Sequence, residues 1–256
     1  MAKFDPEYTH KTVGKAGFNE LTEEQFKQFN VDLLGLGQVS RESDVTNALA
    51  AIFDLEGFTT FCSQLDPQLV VPEYLGEFLP WLFRDIATRF TKERKDGTVL
   101  IWGSLPFFAK FTGDGVLFLW DTEHCKGLKG IGNVVISLRE ISDDYASRFL
   151  PKAKAEHARA PSRLRVGICR GQVLSIGDGN DYVGPCINMV SRLQKLGSLS
   201  FAVSRRGFDP AKCFPSRADQ YVVKTTAIRQ IGDDELIVLR KDEYDNLPAK
   251  EKRSFR

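Results

Sequence analysis

Ala51-Ile52-Phe53-Asp54-Leu55-Glu56-Gly57-Phe58-Thr59 is the stretch whose reading decides the fold of this chain. An apolar run over residues 49–53 delivers a carboxylate, Asp54, and the run breaks at Gly57, the pattern of a strand that ends in a turn. A second acid has the same setting in Phe111-Thr112-Gly113-Asp114-Gly115, followed by the strand-like Val116-Leu117-Phe118-Leu119-Trp120. Two acids at strand ends, flanked by glycines that let a ligand approach the backbone, suit a site for divalent metal and phosphate. Asp-Gly pairs are also ordinary turn formers, and at this level both readings stand.

The totals narrow the class. A chain of 256 residues with 42% hydrophobic and 27% charged residues is long enough for one substantial core, and its net charge of +1 argues against bulk attraction to nucleic acid or an anionic membrane. The five cysteines (Cys62, Cys125, Cys169, Cys186 and Cys213) are scattered without a CxxC pair, so they read as reduced thiols of a cytoplasmic protein. Met1-Ala2-Lys3-Phe4-Asp5-Pro6 has no apolar leader, and no run approaches the roughly 18 apolar residues of a membrane span. His10, His124 and His157 stand in polar surroundings without ligand spacing and receive no role.

Periodicity supplies the element order. Residues 1–45 read as a polar N-terminal arm with one amphipathic patch, opened by Thr22-Glu23-Glu24-Gln25. A strand over 48–54 leads into a helix carrying Tyr74, Phe78, Leu82, Ile86 and Phe90, with Pro80 predicting a kink or two abutting helices. Strands over 107–112 and 116–120 form a hairpin about Gly113-Asp114-Gly115, and a second helix follows from Leu128 to Phe149. Strands over 164–169 and 172–176, a loop, a helix from Pro185 to Leu196 and further strands complete residues 46–240; residues 241–256 read as a polar, frayed C-terminal tail. The order βαββαβ predicts an α+β, ferredoxin-like palm, an antiparallel-rich sheet with helices packed on it. In such a sheet the first strand and the hairpin can be neighbours, which brings Asp54 and Asp114 together.

Three ordered blocks resemble the class III nucleotidyl cyclases: residues 53–59, residues 110–115, and Val166-Gly167-Ile168 through Asp181-Tyr182-Val183-Gly184-Pro185-Cys186-Ile187-Asn188-Met189-Val190-Ser191-Arg192. The resemblance implies that Asp54 and Asp114, with the Leu55 backbone carbonyl, hold two divalent ions, Mg²⁺ or Mn²⁺. It assigns Asn188 to the ribose and Arg192 to charge developing on the α-phosphate. Lys110 and Asp181 match the base-reading positions, and Phe58 joins them as a candidate at the nucleotide. Lys110 stands four residues from Asp114, roughly 13 Å along an extended strand, so one chain's Lys110 does not serve its own Asp114's nucleotide. The implied assembly is a head-to-tail homodimer with its sites at the subunit interface. This sequence departs from the pattern where many cyclases carry phosphate-clamping Arg and Lys: Gln172 and Ile231 stand there, with Arg170 and Arg229 nearby.

Within that family the chain looks most like the stand-alone pyrimidine cyclases of bacterial antiphage (Pycsar) systems, through residues 53–58, Phe118-Leu119-Trp120-Asp121, Arg170-Gly171-Gln172-Val173 and 181–188. That resemblance implies UTP as substrate, cyclic UMP as second messenger and a separate effector protein that binds it. Cytidylate and adenylate cyclase are the alternatives, since a lysine donor and an aspartate acceptor also suit cytosine or adenine. A cyclase-fold module that binds nucleotide without turnover is the reading from another class.

Overall fold

The computed structural model describes residues 5–13 and 16–256; residues 1–4, part of the stretch read above for a leader, lie outside the described residues. Contacts divide the chain into two units, one built from the described residues up to Val45 together with Leu174–Val183, the other from Thr46–Val173 and Gly184–Arg256.

In the first unit β1 (Thr9–Val13) and β2 (Ala16–Glu20) form an antiparallel hairpin. The helix start read at Thr22 is present: α1 (Glu23–Lys27) opens with a capping box in which Thr22 and Gln25 satisfy each other's backbone N–H groups. The later segment joins this unit through backbone pairing, with Ser175 N–H donating to Asp44 O at 3.0 Å and Asp178 N–H to Leu36 O at 3.1 Å.

The second unit contains the palm. β3 (Val45–Glu56) leads through the one-turn α2 (Phe58–Phe61) into α3 (Pro67–Phe90). A small ribbon, β4 (Thr91–Lys95) with β5 (Thr98–Ile101), precedes the hairpin β6 (Phe108–Phe111) and β7 (Gly115–Asp121). Then come α4 (Gly127–Asp144), a π-helical turn (Tyr145–Phe149), α5 (Leu150–Glu156) and β8 (Arg163–Ile176). After β9 (Asp181–Val183), which pairs with the end of β8 inside the first unit, follow α6 (Pro185–Leu193), β10 (Phe201–Ser204), α7 (Pro210–Cys213), β11 (Tyr221–Ile228), β12 (Gly232–Arg240), α8 (Lys241–Asp245) and α9 (Ala249–Lys252).

The main sheet runs β11-β12-β10-β8-β3-β7-β6. Its β8-β3-β7-β6 portion places the four palm strands in the order fourth, first, third, second, the ferredoxin-like arrangement expected from βαββαβ. β3 is central and buried from Ala48 to Leu55, which explains its continuous apolar run. Its two faces differ. Leu49, Ala51, Phe53 and Leu55 join the core beneath α3 and α4, as do Val116, Phe118 and Trp120 of β7 and Leu164, Val166 and Ile168 of β8. Period two therefore puts Asp54, Arg163 and Arg165 together on the opposite face.

Three local expectations change. α3 is one helix through Pro72 and Pro80, not two. Each proline costs about 3 kcal/mol in a helix interior, but Tyr74, Phe78, Leu82, Ile86 and Phe90 are buried at strict four-residue spacing, and each contributes about 1.5–3 kcal/mol. β8 is one strand across Arg170-Gly171, with β10 pairing its residues 166–168 and β9 its residues 174–176. Residues 241–256 carry two short helices and pack on the fold rather than fray: Phe255 is buried, and Arg256 and Thr225 exchange backbone hydrogen bonds of 2.8 Å. Among the described residues no helix is long and apolar enough to cross a membrane. All five cysteines are free thiols, four of them buried.

Candidate active site

Asp54 is the last residue of β3 paired in register with β7 before the Gly57 turn, and its partner there is Gly115. A side chain at Gly115 would drive its Cβ to 1.9 Å from Phe53 O, so only glycine lets β7 begin so close to β3. Gly113, at φ 96°, supplies the left-handed residue of the turn. Asp114 between them is tied to β3 by Leu55 N–H, which donates to Asp114 O at 2.8 Å. The hairpin thus brings the two sequence-predicted acids to one place, as expected.

Their environments differ. Asp54 is 1% exposed, and its Oδ2 accepts from Arg165 Nε at 3.0 Å and Nη2 at 2.5 Å. Its Oδ1 is buried without a hydrogen-bond partner among the described residues. Burial pushes the Asp54 carboxyl up, Arg165 opposes that shift, and the charge of Asp114 adds to it. Asp114 is more open, with Lys195 Nζ 3.7 Å from its Oδ2. On the same face of β3, Glu56 accepts from Arg163 Nη2 at 2.9 Å, and that guanidinium holds its carboxyl below the usual glutamate range.

The residues fit a hard divalent cation: two carboxylates converge, and one buried oxygen lacks the partner that buried polar atoms normally have. Arg165 already compensates the other oxygen. Sequence reasoning missed Arg165 and Lys195. Arg163 and Arg165 alternate with buried Leu164 and Val166 along β8, charges on the face opposite the core, and that was the available signal.

Asn188 and Arg192 share the exposed face of α6, a helix opened by Pro185 at its first position as expected. Arg192 Nη2 donates to Gln230 Oε1 at 2.6 Å, on the β11–β12 turn. A cleft of about 500 Å³ opens beside them, lined by Arg170, Gln172, Asn188, Arg206, Gln230 and Ile231 among others. Both departures from the clamp pattern therefore face the same space as Arg170, and Arg206 joins it unforeseen. Arg206 is also bonded to Glu235, through Nε at 2.9 Å. Among the described residues no hydrogen bond or ion pair links Asn188 or Arg192 to Asp54 or Asp114.

Lys110 is exposed on β6, the edge strand, opposite Leu117. Asp181 begins β9 in the first unit, and its Oδ1 accepts from Tyr182 N–H at 2.9 Å. Phe58 belongs to the core, 8% exposed with its ring 6.0 Å from that of Phe61, so it packs the Gly57 turn and offers a nucleotide no open face. Proximity to Asp54 in sequence suggested a contact that α2 turns inward.

No family model matches the chain, and no curated protein matches it in sequence. Solved structures do. The adenylyl cyclase CyaB from P. aeruginosa superposes with a TM-score of 0.59 at 16% identity, covering 81% of this chain and 100% of that one. The catalytic core of a rhodopsin-guanylyl cyclase with converted specificity, in complex with ATPαS, gives a TM-score of 0.50 at 15% identity over 78% of this chain and 100% of that one. The chain has the α+β fold of these cyclase structures.

Proposed function

We propose that this protein is a metal-dependent nucleotidyl cyclase that converts a pyrimidine nucleoside triphosphate, UTP by preference, into 3′,5′-cyclic UMP and pyrophosphate. The observation that carries the reading is the Asp54–Asp114 pair at the β3 end of a cyclase fold, with Asp54 Oδ1 buried and unpartnered. Asp54, Asp114 and the Leu55 carbonyl hold Mg²⁺ or Mn²⁺; such ions acidify a bound hydroxyl and neutralise phosphate charge. In the reaction the ribose 3′-oxygen bonds to the α-phosphorus, its proton passes to solvent, and the bond to the bridging oxygen of pyrophosphate breaks.

The chain's own groups orient these atoms. Asn188 offers an amide to the ribose, and Arg192 exchanges Gln230 for the α-phosphate, to which a guanidinium presents paired donors. Arg170 and Arg206 are the cations available to the β- and γ-phosphates in the adjoining cleft. For uracil, Lys110 donates to O4 and Asp181 accepts from N3–H. The reading places the complete site between two copies, each supplying one half; among the described residues no hydrogen bond or ion pair joins Asn188 or Arg192 to the two acids, which agrees with it. The preference for uridylate, the antiphage role and the separate effector that binds the product rest on sequence resemblance to pyrimidine cyclases, and the cytoplasmic location on the scattered, unpaired cysteines.

One observation favours a second reading. Gln172 and Ile231 face the phosphate cleft where many cyclases place cations, which suits a module that binds nucleotide without turnover. Incubation with each of the four NTPs and Mn²⁺, followed by mass spectrometry, separates the readings. Cyclic UMP supports the proposal; cyclic AMP alone makes the protein an adenylate cyclase. Calorimetric binding of triphosphate without any cyclic product supports the module.

A further inference from the structure

Away from the paired aspartates, one other group of ligating side chains converges. Glu77 on α3, Glu156 at the last position of α5 and His157 just after it each present one ligand atom, all within 4.8 Å of one another. The imidazole is not the solvated side chain that its polar sequence neighbours suggested. It is 4% exposed, its ring stands edge-on to Phe61 and Tyr74, and its Nε2 has no hydrogen-bond partner. One ring nitrogen is among the converging atoms, so the buried ring is aimed at the two carboxylates. A buried ring nitrogen with no partner among the described residues is unusual in a folded protein.

The glutamates show the complementary deficit. Among the described residues neither pairs with a lysine or arginine. Burial and the nearness of Glu156 push the Glu77 carboxyl up. Glu156 and His157 also stand where a helix ends, and the unpaired carbonyls of a helix C-terminus favour a cation. The two carboxylates line a cleft of about 640 Å³, which gives an ion a way in.

We propose that Glu77, Glu156 and His157 bind a transition-metal dication, zinc by ligand type. One imidazole nitrogen and two carboxylate oxygens are ligands that zinc takes at about 2.0–2.2 Å, leaving a further position for water. Magnesium and calcium prefer oxygen alone. Arg84, Arg148 and Lys152 line other walls of the cleft and weaken its attraction for a cation held by charge only, so the nitrogen ligand decides the preference. Ligands at those bond lengths lie roughly 3–4 Å apart, a closure that the two exposed glutamates reach by side-chain rotation. The ion braces α3, which follows the Asp54 turn, against the segment that leads into Arg163 and Arg165. The proposal does not depend on the cyclase reading.

The test is calorimetric titration of the EDTA-stripped full chain with Zn²⁺, for the wild type and for Glu77→Gln, Glu156→Gln and Asp54→Asn. Glu77 and Glu156 are exposed, so both glutamine variants keep the fold, checked by circular dichroism. The tight zinc event weakens at least 10- to 100-fold in each, about the loss seen when even an outer-shell partner of a metal is removed, and is unchanged in Asp54→Asn. Cobalt substitution gives visible d–d bands in the wild type that are absent in Glu77→Gln. No tight zinc binding by the wild type overturns the proposal. So does an event that survives both glutamine variants, or one lost only in Asp54→Asn.

Discussion

Asp54 and Arg165 together pose a question that neither poses alone: the carboxylate proposed to serve a metal is already gripped by a guanidinium, and both are nearly out of solvent. The unpartnered Oδ1 answers it, since the pair leaves one oxygen for a second cation. Removing Arg165 leaves an uncompensated buried carboxylate, so Arg165→Ala costs about 3–5 kcal/mol, read from urea denaturation. Added Mn²⁺ recovers more stability in that variant than in the wild type; equal recovery would show that the ion does not sit on Asp54. Asp54→Asn and Asp114→Asn each lower turnover by roughly a thousandfold or more, the equivalent of several kcal/mol of lost charge stabilisation. A third residue sets a pH dependence. Arg163 holds the Glu56 carboxyl below its usual value of 4.5, so the folded state binds this proton less readily than the unfolded chain. Stability from this pair is present above that value and is lost as pH falls through the lower folded pKa. Glu56→Gln flattens the acid limb of a melting-temperature profile, and an unchanged limb contradicts the assignment. The placement of Asp54 and Asp114 was legible because one ends an apolar run three residues before Gly57 and the other lies between Gly113 and Gly115. Arg165 was not, because its partner lies 111 residues away in sequence and only strand register brings them together.

Elements were legible where the period was strong. The buried stripe of α3 from Tyr74 to Phe90 and the hairpin about Asp114 stand in the sequence as they stand in the fold. The continuity of α3 through Pro80 was not, since a local rule predicts a break that tertiary burial overrides. His157 was misread for a related reason: its charged sequence neighbours face solvent, while the ring itself is buried just past the end of α5. The same core holds a polar contact at the π-helical turn. Tyr145 Oη donates to Pro161 O at 2.6 Å and lies 2.8 Å from Tyr74 Oη, and burial pushes the Tyr145 hydroxyl up to about 12. Tyr145→Phe leaves a buried carbonyl unsatisfied and destabilises by about 1–3 kcal/mol, with a correspondingly lower midpoint of thermal unfolding. A neutral effect would mean that the contact contributes little to holding the α5–β8 connection.

For the whole molecule, the proposed division of the site between two copies makes a prediction that no single chain fulfils. Asp54→Asn and Arg192→Ala, each inactive alone, complement when mixed. A mixed dimer has one site with both substitutions and one with neither, so random exchange restores about a quarter of wild-type activity. No recovery after verified subunit exchange would place all the groups in one chain's site. The most direct measurement is quantification of both products from UTP and Mn²⁺ by mass spectrometry, for wild type and Asp114→Asn side by side. The account predicts 3′,5′-cyclic UMP and pyrophosphate in equal amounts from the wild type and neither from the variant. Cyclic nucleotide formed equally by Asp114→Asn, or none formed by the wild type from any of the four triphosphates, would contradict it.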